Sequence, residues 1–447
     1  MSLLPLDRRP GWLALFLLLA ICGCRRAAEP PVQRTPFPPA ARDPVGWAGW
    51  RGPNASGVAP GGCRAVHFSP AAGIRWYAEV PGRGSSSPVV RDDVVLLTTA
   101  TAETDPPTLA VLCYDRNDGR PMWKAEVGPA QGRTHTKNGY ASATVATDGQ
   151  RVYSFFGSTG LFCHDLAGTQ VWRAELGDLD HQYGSAASPV LYGDLVIQLC
   201  DSEKRSSIAA FDKQSGKEVW RTPRPSTGGW ATPVLVEAEA AGKRRTELVV
   251  NGTEGKSSDE RMVIAYDPAD GRELWRVRGT TQFVAPTIVV GQGLIFSTSG
   301  RNGPIIAIRP GGSGDVTDTH VAWRLDRGGP YIPTGLFYGG RLYVLGDAGD
   351  LSCYDAGTGK GIWKDRLRGS FTASLVAADD RIYAVEEQHG TVYVFAAGDS
   401  FRLLARNELE AKVLATPAIA GGELFLRTES RLYCIPGAEA AAAAQAK

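Results

Sequence analysis

The residues best suited to bind a ligand are polar and aromatic side chains that precede a recurring short apolar segment. That segment opens with Ser87-Pro88, Thr232-Pro233 or a variant of this pair. Because repeated segments occupy equivalent places in a repeat fold, the residues before them should meet around one opening. Polar groups beside aromatic surfaces in a concavity are typical of a binding site. The candidate binding face comprises His135, Lys137, Asn138, His181, Gln182, Tyr183, Trp230, Gln282, Tyr331 and Phe371.

A second interpretation of the candidate binding face stays open, in which the aromatic rings plug a narrow channel and the polar groups face solvent. The same positions hold almost no carboxylates, although a calcium ion needs roughly six to eight oxygen ligands. The nearest acidic residues, Asp178 and Asp180 beside His181, fall in one loop. The Cys and His residues show no metal-ligand spacing. We therefore expect no catalytic residue and no metal ligand.

A second recurring pattern identifies the fold that carries these residues. An apolar strand runs into Asp, a turn ends on Gly, and the next strand begins with Trp. The Asp would accept turn N–H groups, the Gly would adopt positive φ, and the Trp would fill the space between units. With Trp76 included, the Trp residues lie 40 to 55 residues apart, which indicates a propeller or solenoid. The structural repeat residues are Asp115, Gly119, Trp123, Asp165, Trp172, Asp212, Gly216, Trp220, Asp267, Gly271, Trp275, Trp323, Asp355, Gly359 and Trp363.

The number of repeats predicts the size of the ring. The Ser/Thr-Pro unit or a variant of it occurs eight times, and each repeat has room for four short strands. Seven outer strands carry Trp, and residues 401–404 supply an eighth without it. Trp76 precedes the first unit, whereas the last strand, residues 432–435, has no Trp strand after it. We therefore predict an all-β, eight-bladed propeller over residues 71–437, closed by an N-terminal strand that completes the last blade.

The N-terminus has the pattern of a secretory signal. Arg8 and Arg9 precede an apolar run that ends at Ile21, and Ile21-Cys22-Gly23-Cys24 resembles a bacterial lipobox. Residues 1–24 are thus predicted to be a lipoprotein signal peptide with Cys24 as the lipidated residue, and residues 25–45 a flexible linker. Arg25 after the lipidated Cys favours the outer membrane as destination.

Two flanking segments complete the domain organisation. Trp47 and Trp50, beside Gly-Pro-Asn turn residues, predict that residues 46–70 form an extension packed on the propeller. Residues 438–447 form an Ala-rich tail to which we assign no function.

The bulk composition narrows the class of partner. Lys and Arg number 48 against 47 Asp and Glu, so the chain has no excess of basic residues for a nucleic-acid surface. Cys113, Cys163, Cys353 and Cys434 share one repeat position that elsewhere holds Ala, which predicts small buried residues. Cys63 and Cys200 do not occupy this repeat position, and whether they form a disulfide in an oxidising compartment stays open. His164 replaces a repeat Tyr and is expected in the core, whereas His389 is expected in solvent.

The recurring apolar-Cys/Ala-Tyr-Asp-x-x-x-Gly-x-x-x-Trp pattern resembles the pyrroloquinoline-quinone (PQQ)-like propeller repeat, over about residues 70–437. One branch of that superfamily comprises non-enzymatic propellers similar to BamB, a lipoprotein of the outer-membrane β-barrel assembly machinery. This resemblance implies a scaffold that is secreted across the inner membrane and lipid-anchored in the outer membrane, facing the periplasm. Such a scaffold would bind envelope proteins without a cofactor. Strand addition to propeller edges is one expected binding mode, with unfolded outer-membrane strands as the captured segments.

The other branch, the quinoprotein dehydrogenases of alcohols or sugars, implies PQQ and calcium over the central channel. The adjacent cysteines of the alcohol dehydrogenases are absent from this chain, although sugar dehydrogenases manage without them. A third possibility is a small-ligand or glycan binder that uses the candidate binding face.

Overall fold

The computed structural model describes residues 46–253, 255, 257 and 260–437, which form a ring of eight β-sheets. The signal peptide, Cys24, the linker and the Ala-rich tail predicted from the sequence lie outside the described residues. Among the described residues, none of the helices has the length and apolar composition needed to cross a membrane.

Each sheet is a blade with four antiparallel strands that follow one another from the channel outward, here named inner, second, third and outer. Blade one comprises Val89–Arg91, Val94–Thr101, Thr108–Asp115 and Pro121–Pro129, and blade two Ala146–Thr147, Arg151–Phe155, Leu161–Asp165 and Gln170–Ala174. Blade three comprises Val190–Tyr192, Leu195–Cys200, Ser207–Asp212 and Glu218–Pro223, and blade four Val234–Ala240, Lys243–Val250, Met262–Tyr266 and Glu273–Arg278. Blade five comprises Val289–Gly291, Leu294–Thr298, Gly303–Ile308 and Val321–Gly329, and blade six Leu336–Tyr338, Arg341–Leu345, Asp350–Asp355 and Gly361–Arg366. Blade seven comprises Val376–Ala378, Arg381–Val385, Val392–Ala396 and Leu403–Asn407, and blade eight Ala418–Ala420, Glu423–Arg427, Arg431–Pro436 and Trp76–Glu79.

Blade eight confirms the predicted closure of the ring. Its outer strand comes from the N-terminal side of the chain, and Trp76 pairs with Cys434 while Glu79 pairs with Arg431. A strand that precedes blade one therefore completes the sheet formed by the last strands of the propeller, which leaves no open gap in the ring.

The Asp-turn-Gly-Trp pattern joins each blade to the next. Trp76 of blade eight donates its indole N–H to the carbonyl of Arg116 in blade one at 2.8 Å. A Cβ atom added to Gly119 of the same turn would lie 2.5 Å from the Trp76 ring. Gly119 has a φ of 73°, and Asp115 accepts the N–H of Asn117 at 2.8 Å. The same packing places Gly168 against Trp123, Gly216 against Trp172, Gly271 against Trp220 and Gly359 against Trp323.

Blade five lacks this turn, and the chain compensates for it. Trp275 of blade four donates instead to the buried carboxylate of Glu247 at 2.8 Å. The segment between the third and outer strands of blade five folds back on blade four, where Gly314–Asp315 pairs in parallel with the outer strand. A short helix, Thr317–His320, follows, and short 3₁₀ turns lie at Pro53–Ala55 and Gly157–Thr159. Blade four is therefore a five-stranded sheet.

Ser and Thr hydroxyls just before the inner strands link six of the eight pairs of neighbouring blades around the channel. The N–H of Ser87 donates to the Thr144 hydroxyl at 3.0 Å, and the N–H of Thr144 donates to the Ser188 hydroxyl at 3.0 Å. The linking residue of blade two is thus Thr144, two positions after Ser142, where the sequence pattern begins. Further bonds of this kind, each 2.9 or 3.0 Å long, run from Ser188 to Thr232, from Thr287 to Thr334, from Thr334 to Ser374 and from Ser374 to Thr416.

The N-terminal extension packs against the ends of the inner strands. Trp47 is fully buried and exchanges backbone hydrogen bonds with Val90 of blade one, at 2.7 and 3.0 Å. Farther along, the N–H of Ala59 donates to Ala377 of blade seven at 2.9 Å. Residues 46–59 therefore tie together blades that are distant in sequence.

The described cysteines are buried and unpaired. Cys63 and Cys200 lie in separate apolar clusters, so they form no disulfide with each other. Burial raises the pKa of the Cys200 thiol to about 12, and it raises the pKa of Cys113 to about 12 as well. These thiols are inert packing groups at neutral pH.

Candidate functional site

A cavity of about 370 Å³ lies on the propeller axis, at the end where the loops enter the inner strands. Six residues of the candidate binding face line it: His135, Lys137, Asn138, Tyr183, Trp230 and Tyr331. His181 is buried behind them, with its ring 4.9 Å from the ring of Trp230. Gln182 and Gln282 are exposed and lie outside the lining.

Phe371 was wrongly placed on the candidate binding face. Its side chain is fully buried, with its ring 6.2 Å from that of Tyr393, in the apolar cluster between blades six and seven. The apolar ring is more stable in this core than at a wet opening. Phe371 therefore offers no surface to a ligand.

The aromatic residues form a continuous belt along one side of the cavity. The ring of Tyr183 lies 5.5 Å from His135 and 5.9 Å from Trp230, in edge-to-face geometry. The Trp230 ring lies 6.4 Å from Phe283. Because edge-to-face packing fixes ring orientation, the belt presents preformed apolar surfaces. We call His135, Tyr183, Trp230, Phe283 and Tyr331 the aromatic belt.

Arg301 completes the belt, and sequence reasoning missed it. Its guanidinium lies 4.6 Å from the ring centre of Phe283 and 5.2 Å from that of Tyr331, a cation–π arrangement. Arg301 and Asn302 form a turn with φ values of 58° and 62°. The run Ser299-Gly300-Arg301-Asn302-Gly303-Pro304 signals a turn but not that its Arg reaches the cavity. Phe283 directly follows Gln282, and the sequence pattern does not distinguish which of the two side chains turns towards the cavity.

A loop from blade two reaches across the cavity mouth. Lys137 forms a 2.7 Å ion pair with Glu387, whose side chain is 2% exposed. Thr372 and Gln388 also donate to the Glu387 carboxylate, at 2.8 and 3.0 Å. Because the buried carboxylate is fully hydrogen-bonded, its charge is balanced, and the loop is held in place over the mouth.

The cavity floor is made by the N-terminal extension. Trp50 donates its indole N–H to the Thr287 hydroxyl at 3.1 Å and lines the cavity from below. Arg51, 0% exposed, donates to the carbonyls of Leu375 at 3.0 Å and Gly335 at 2.8 Å. Its other acceptors, in Ala55 and Ser56, are carbonyl oxygens too, and burial lowers the pKa of Arg51 to about 9. The extension thereby turns the channel into a pit that opens on one side.

Asp178 and Asp180, the acidic residues that the sequence places nearest the mouth, are both in ion pairs. Asp178 accepts from Lys204 at 2.7 Å, and this hydrogen bond holds the pKa of Asp178 below its ordinary value. Asp180 pairs with Arg133 at 2.9 Å, and Arg133 also reaches Glu203 at 3.0 Å. This cluster forms an exposed rim beside the cavity.

The donor set of the cavity does not fit a calcium ion with PQQ. None of the described residues that line the cavity is an Asp or a Glu. Over the described ranges, three or more His, Cys, Asp or Glu side chains nowhere come together in a group able to hold a metal. Calcium requires several carboxylate or carbonyl oxygens converging on one point.

Two histidines outside the cavity have contrasting environments. His164 is 1% exposed, neither ring nitrogen has a hydrogen-bond partner among the described residues, and burial lowers its pKa to about 4. His389 has a side chain that is 78% exposed. His164 is therefore a neutral core residue at pH 7, and His389 faces solvent.

Comparisons with known proteins place the chain among propellers of the cell envelope. A family model described as outer membrane protein assembly factor BamB matches residues 58–204, 108–256, 204–336 and 320–403. The protein named outer membrane protein assembly factor BamB in Burkholderia pseudomallei (strain K96243) is 25% identical over 386 residues, covering 81% of this chain and 88% of that protein. The protein of the same name in Yersinia pestis is 22% identical over 342 residues, covering 73% of this chain and 80% of that protein.

Two solved structures share the fold. The quinohemoprotein alcohol dehydrogenase from Comamonas testosteroni has a TM-score of 0.67 at 14% identity, covering 89% of this chain and 81% of that one. BamB from Moraxella catarrhalis has a TM-score of 0.58 at 15% identity, covering 80% and 97%. Both an enzyme and an assembly factor are thus similar in architecture, so the fold alone does not distinguish the two functions.

Proposed function

Because the chain belongs to the family described as outer membrane protein assembly factor BamB, we propose that it is a non-enzymatic propeller that binds envelope proteins as a scaffold. The observation that carries this proposal is the extent of the family match, which spans blades one to six and most of blade seven. The curated relatives named BamB support a partner in outer-membrane assembly. A rigid ring with loops and edges on several sides suits a binding module.

The proposed location is the outer membrane, with the propeller in the periplasm. The Arg8-Arg9 pair, the apolar run after it and the lipobox-like Ile21-Cys22-Gly23-Cys24 support export and lipidation at Cys24. The relatives' names support an envelope location. Replacing Cys24 by Ala should release the protein from the membrane fraction, and retention of the variant there would contradict the anchor.

We place the partner-binding surface on the outer strands of blades one to three. Met122, Val171 and Val219 stand directly before the repeat Trp of their blades and are 45%, 43% and 54% exposed. Blade four shows how such an edge can be extended, because Gly314–Asp315 adds a parallel strand to it. Backbone pairing at an edge gives affinity, and the alternating side chains give selectivity. The proposed occupant is an extended, unfolded strand of an outer-membrane protein.

The experiment is cross-linking in cells followed by purification of the full-length, lipidated protein and identification of the attached proteins. Enrichment of outer-membrane β-barrel proteins or their assembly factors is expected, and it should fall when Val171 and Val219 are both replaced by Lys. Replacing the exposed Lys364, on the outer strand of blade six, by Glu is the matched control. Absence of any enriched envelope protein would contradict the proposal.

We further propose that the protein works without PQQ or calcium. The absence of carboxylates among the described lining residues supports this. Titration with PQQ and calcium, followed by Trp fluorescence and dye-linked oxidation of alcohols and aldoses, tests it. Calcium-dependent quenching at micromolar PQQ, with turnover, would instead make the chain a quinoprotein dehydrogenase.

A further inference from the structure

Cationic side chains without an acidic partner border the axial cavity. Arg301 lines it, and Arg51 and Arg427 lie behind its floor and wall; none of the three forms an ion pair with a described residue. Lys137 also lines the cavity and pairs with Glu387, and the Asp347 carboxylate lies behind Tyr331. The rim carboxylates are paired with Arg133 and Lys204, and none of the described lining residues is acidic. A low-dielectric pit bordered by unpaired cations attracts anions.

Arg427 adds a buried positive charge to the wall. Its side chain is 1% exposed, and Nη1 donates to the backbone and hydroxyl oxygens of Ser86 at 3.2 and 2.6 Å. The Nε and Nη2 atoms of Arg427 have no hydrogen-bond partner among the described residues. Ser86 follows Ser85, which lines the cavity. The field of a buried, unneutralised guanidinium therefore acts directly behind the cavity wall.

The cavity wall also offers hydroxyl protons. Six lining hydroxyls each accept one N–H group, five from the backbone just before a neighbouring inner strand and one from the Trp50 indole. A hydroxyl that accepts such a bond keeps its own proton for donation, and the described part of the chain supplies no acceptor for these protons. A ligand with acceptor oxygens would satisfy them. The six residues are Ser188, Thr232, Thr287, Thr334, Ser374 and Thr416.

Arg301 supplies the directional contact. Its side chain forms cation–π contacts with Phe283 and Tyr331 but no ion pair with any described residue. The stacked guanidinium keeps its N–H edge free, and such an edge matches the two oxygens of a carboxylate. Trp230 and Tyr331 line the cavity beside it. A flat apolar body would pack on these rings while its charged group meets Arg301.

We propose that the axial cavity is a binding site for a small organic carboxylate with a flat, apolar body. An uncharged sugar would leave Arg301 without an anionic partner, and Arg301 would repel a metal cation. The volume of about 370 Å³ suits a ligand of one or two fused rings. The site is separate from the outer-strand edges of blades one to three, so it does not depend on the scaffold function.

Isothermal titration calorimetry of the mature protein with three probes tests this site. The probes are 2-naphthoate, the uncharged 2-naphthamide, and acetate, which lacks the flat body. Binding of 2-naphthoate at least about ten-fold tighter than the other two is expected, because a charge-assisted hydrogen bond is lost with the amide and apolar burial is lost with acetate. Equal affinity for 2-naphthoate and 2-naphthamide, or no heat with millimolar 2-naphthoate, would overturn the proposal.

Two variants of blade five separate the site from a general charge effect. Arg301→Gln should weaken 2-naphthoate about ten-fold and leave 2-naphthamide unchanged, since only the charged contact is removed. Arg327→Gln changes the same charge on the exposed outer strand of that blade and should leave both affinities unchanged. Equal losses in the two variants would assign the effect to net charge and overturn the proposed contact. Trp230→Ala should weaken both naphthyl probes.

Discussion

The indole of Trp76, in the outer strand of blade eight, packs on Gly119 in a turn of blade one, and this contact recurs between most neighbouring blades. It explains why the repeat keeps a fixed spacing between a Gly and a Trp of the same unit. The Trp of one blade contacts the Gly of the next. Each copy of the pattern therefore contacts the preceding blade through its Gly and the following blade through its Trp. At Trp76 the contact also closes the ring.

Replacing Gly119 by Ala should lower the free energy of unfolding by about 2–4 kcal/mol. The added Cβ would lie 2.5 Å from the Trp76 ring, and the residue has a φ of 73°. Gly293→Ala is the control, because Gly293 has a φ of 71° but open space at the Cβ position. Urea unfolding should show that the control variant loses about 1–2 kcal/mol of unfolding free energy. Equal losses would show that the Trp contact adds nothing.

The buried carboxylate of Glu423 should be much more important than the exposed ion pair at the same closure. Glu423 is 2% exposed and pairs with Arg75 at 3.0 Å and Arg116 at 3.3 Å. Glu423→Gln should cost about 3–5 kcal/mol, because both guanidinium groups keep their charge without this anion. Glu79→Gln removes the exposed pair with Arg431 and should cost at most about 1 kcal/mol. Thermal unfolding of both variants tests this difference. A larger loss of stability in Glu79→Gln than in Glu423→Gln would contradict it.

The neutral burial of His164 should make the propeller sensitive to acid. The folded pKa of His164 is lowered from 6.5 to about 4, so between these values the unfolded chain binds a proton that the native protein does not. Stability should therefore fall as the pH drops from 6.5 towards 4, by about 3 kcal/mol in total.

The test of this pH dependence is a substitution that cannot titrate. His164→Phe, which copies Phe211 at the same repeat position, should flatten the loss between pH 7 and pH 4.5 in urea unfolding. Val219→Thr, at an exposed position without a titratable group, should leave the loss unchanged. If the His164→Phe variant lost stability with falling pH as steeply as the wild type, the acid sensitivity would come from other groups.

Arg51 should hold the N-terminal extension in the channel. Replacing it by Ala removes the bonds to Leu375 and Gly335, so the backbone bonds of Trp47 and Ala59 should open more often. Hydrogen exchange should accelerate at these two amides while the blade strands keep their protection. Arg64→Ala, which removes an exposed ion pair with Asp379, is the control and should have little effect. Unchanged exchange in Arg51→Ala would contradict this role.

The elements that repeat were the ones the sequence predicted. The Asp, Gly and Trp positions recur because every blade makes the same contact, and the unmatched Trp76 at one end predicted the closing strand. Blade five departs from the pattern, and nothing in its sequence indicated that Glu247 of blade four would take the Trp275 indole.

The candidate site was predicted only in part because its loops do not repeat. Lys137 and Glu387 are 250 residues apart and meet only across the channel. Phe371 occupies the sequence position of a mouth residue but packs into the core, since its loop turns inward beside Tyr393. Arg301 enters from the turn between the second and third strands of blade five, which lies outside the segments that precede the inner strands.

The most direct test of the scaffold function is site-specific photo-cross-linking in native membranes. A photoreactive amino acid at Val219, on the exposed edge of blade three, should cross-link to outer-membrane β-barrel proteins or their assembly factors. The same group at Lys364, on the outer strand of blade six, should give little of this product. Equal cross-linking at both positions, or none to envelope proteins at Val219, would contradict the account.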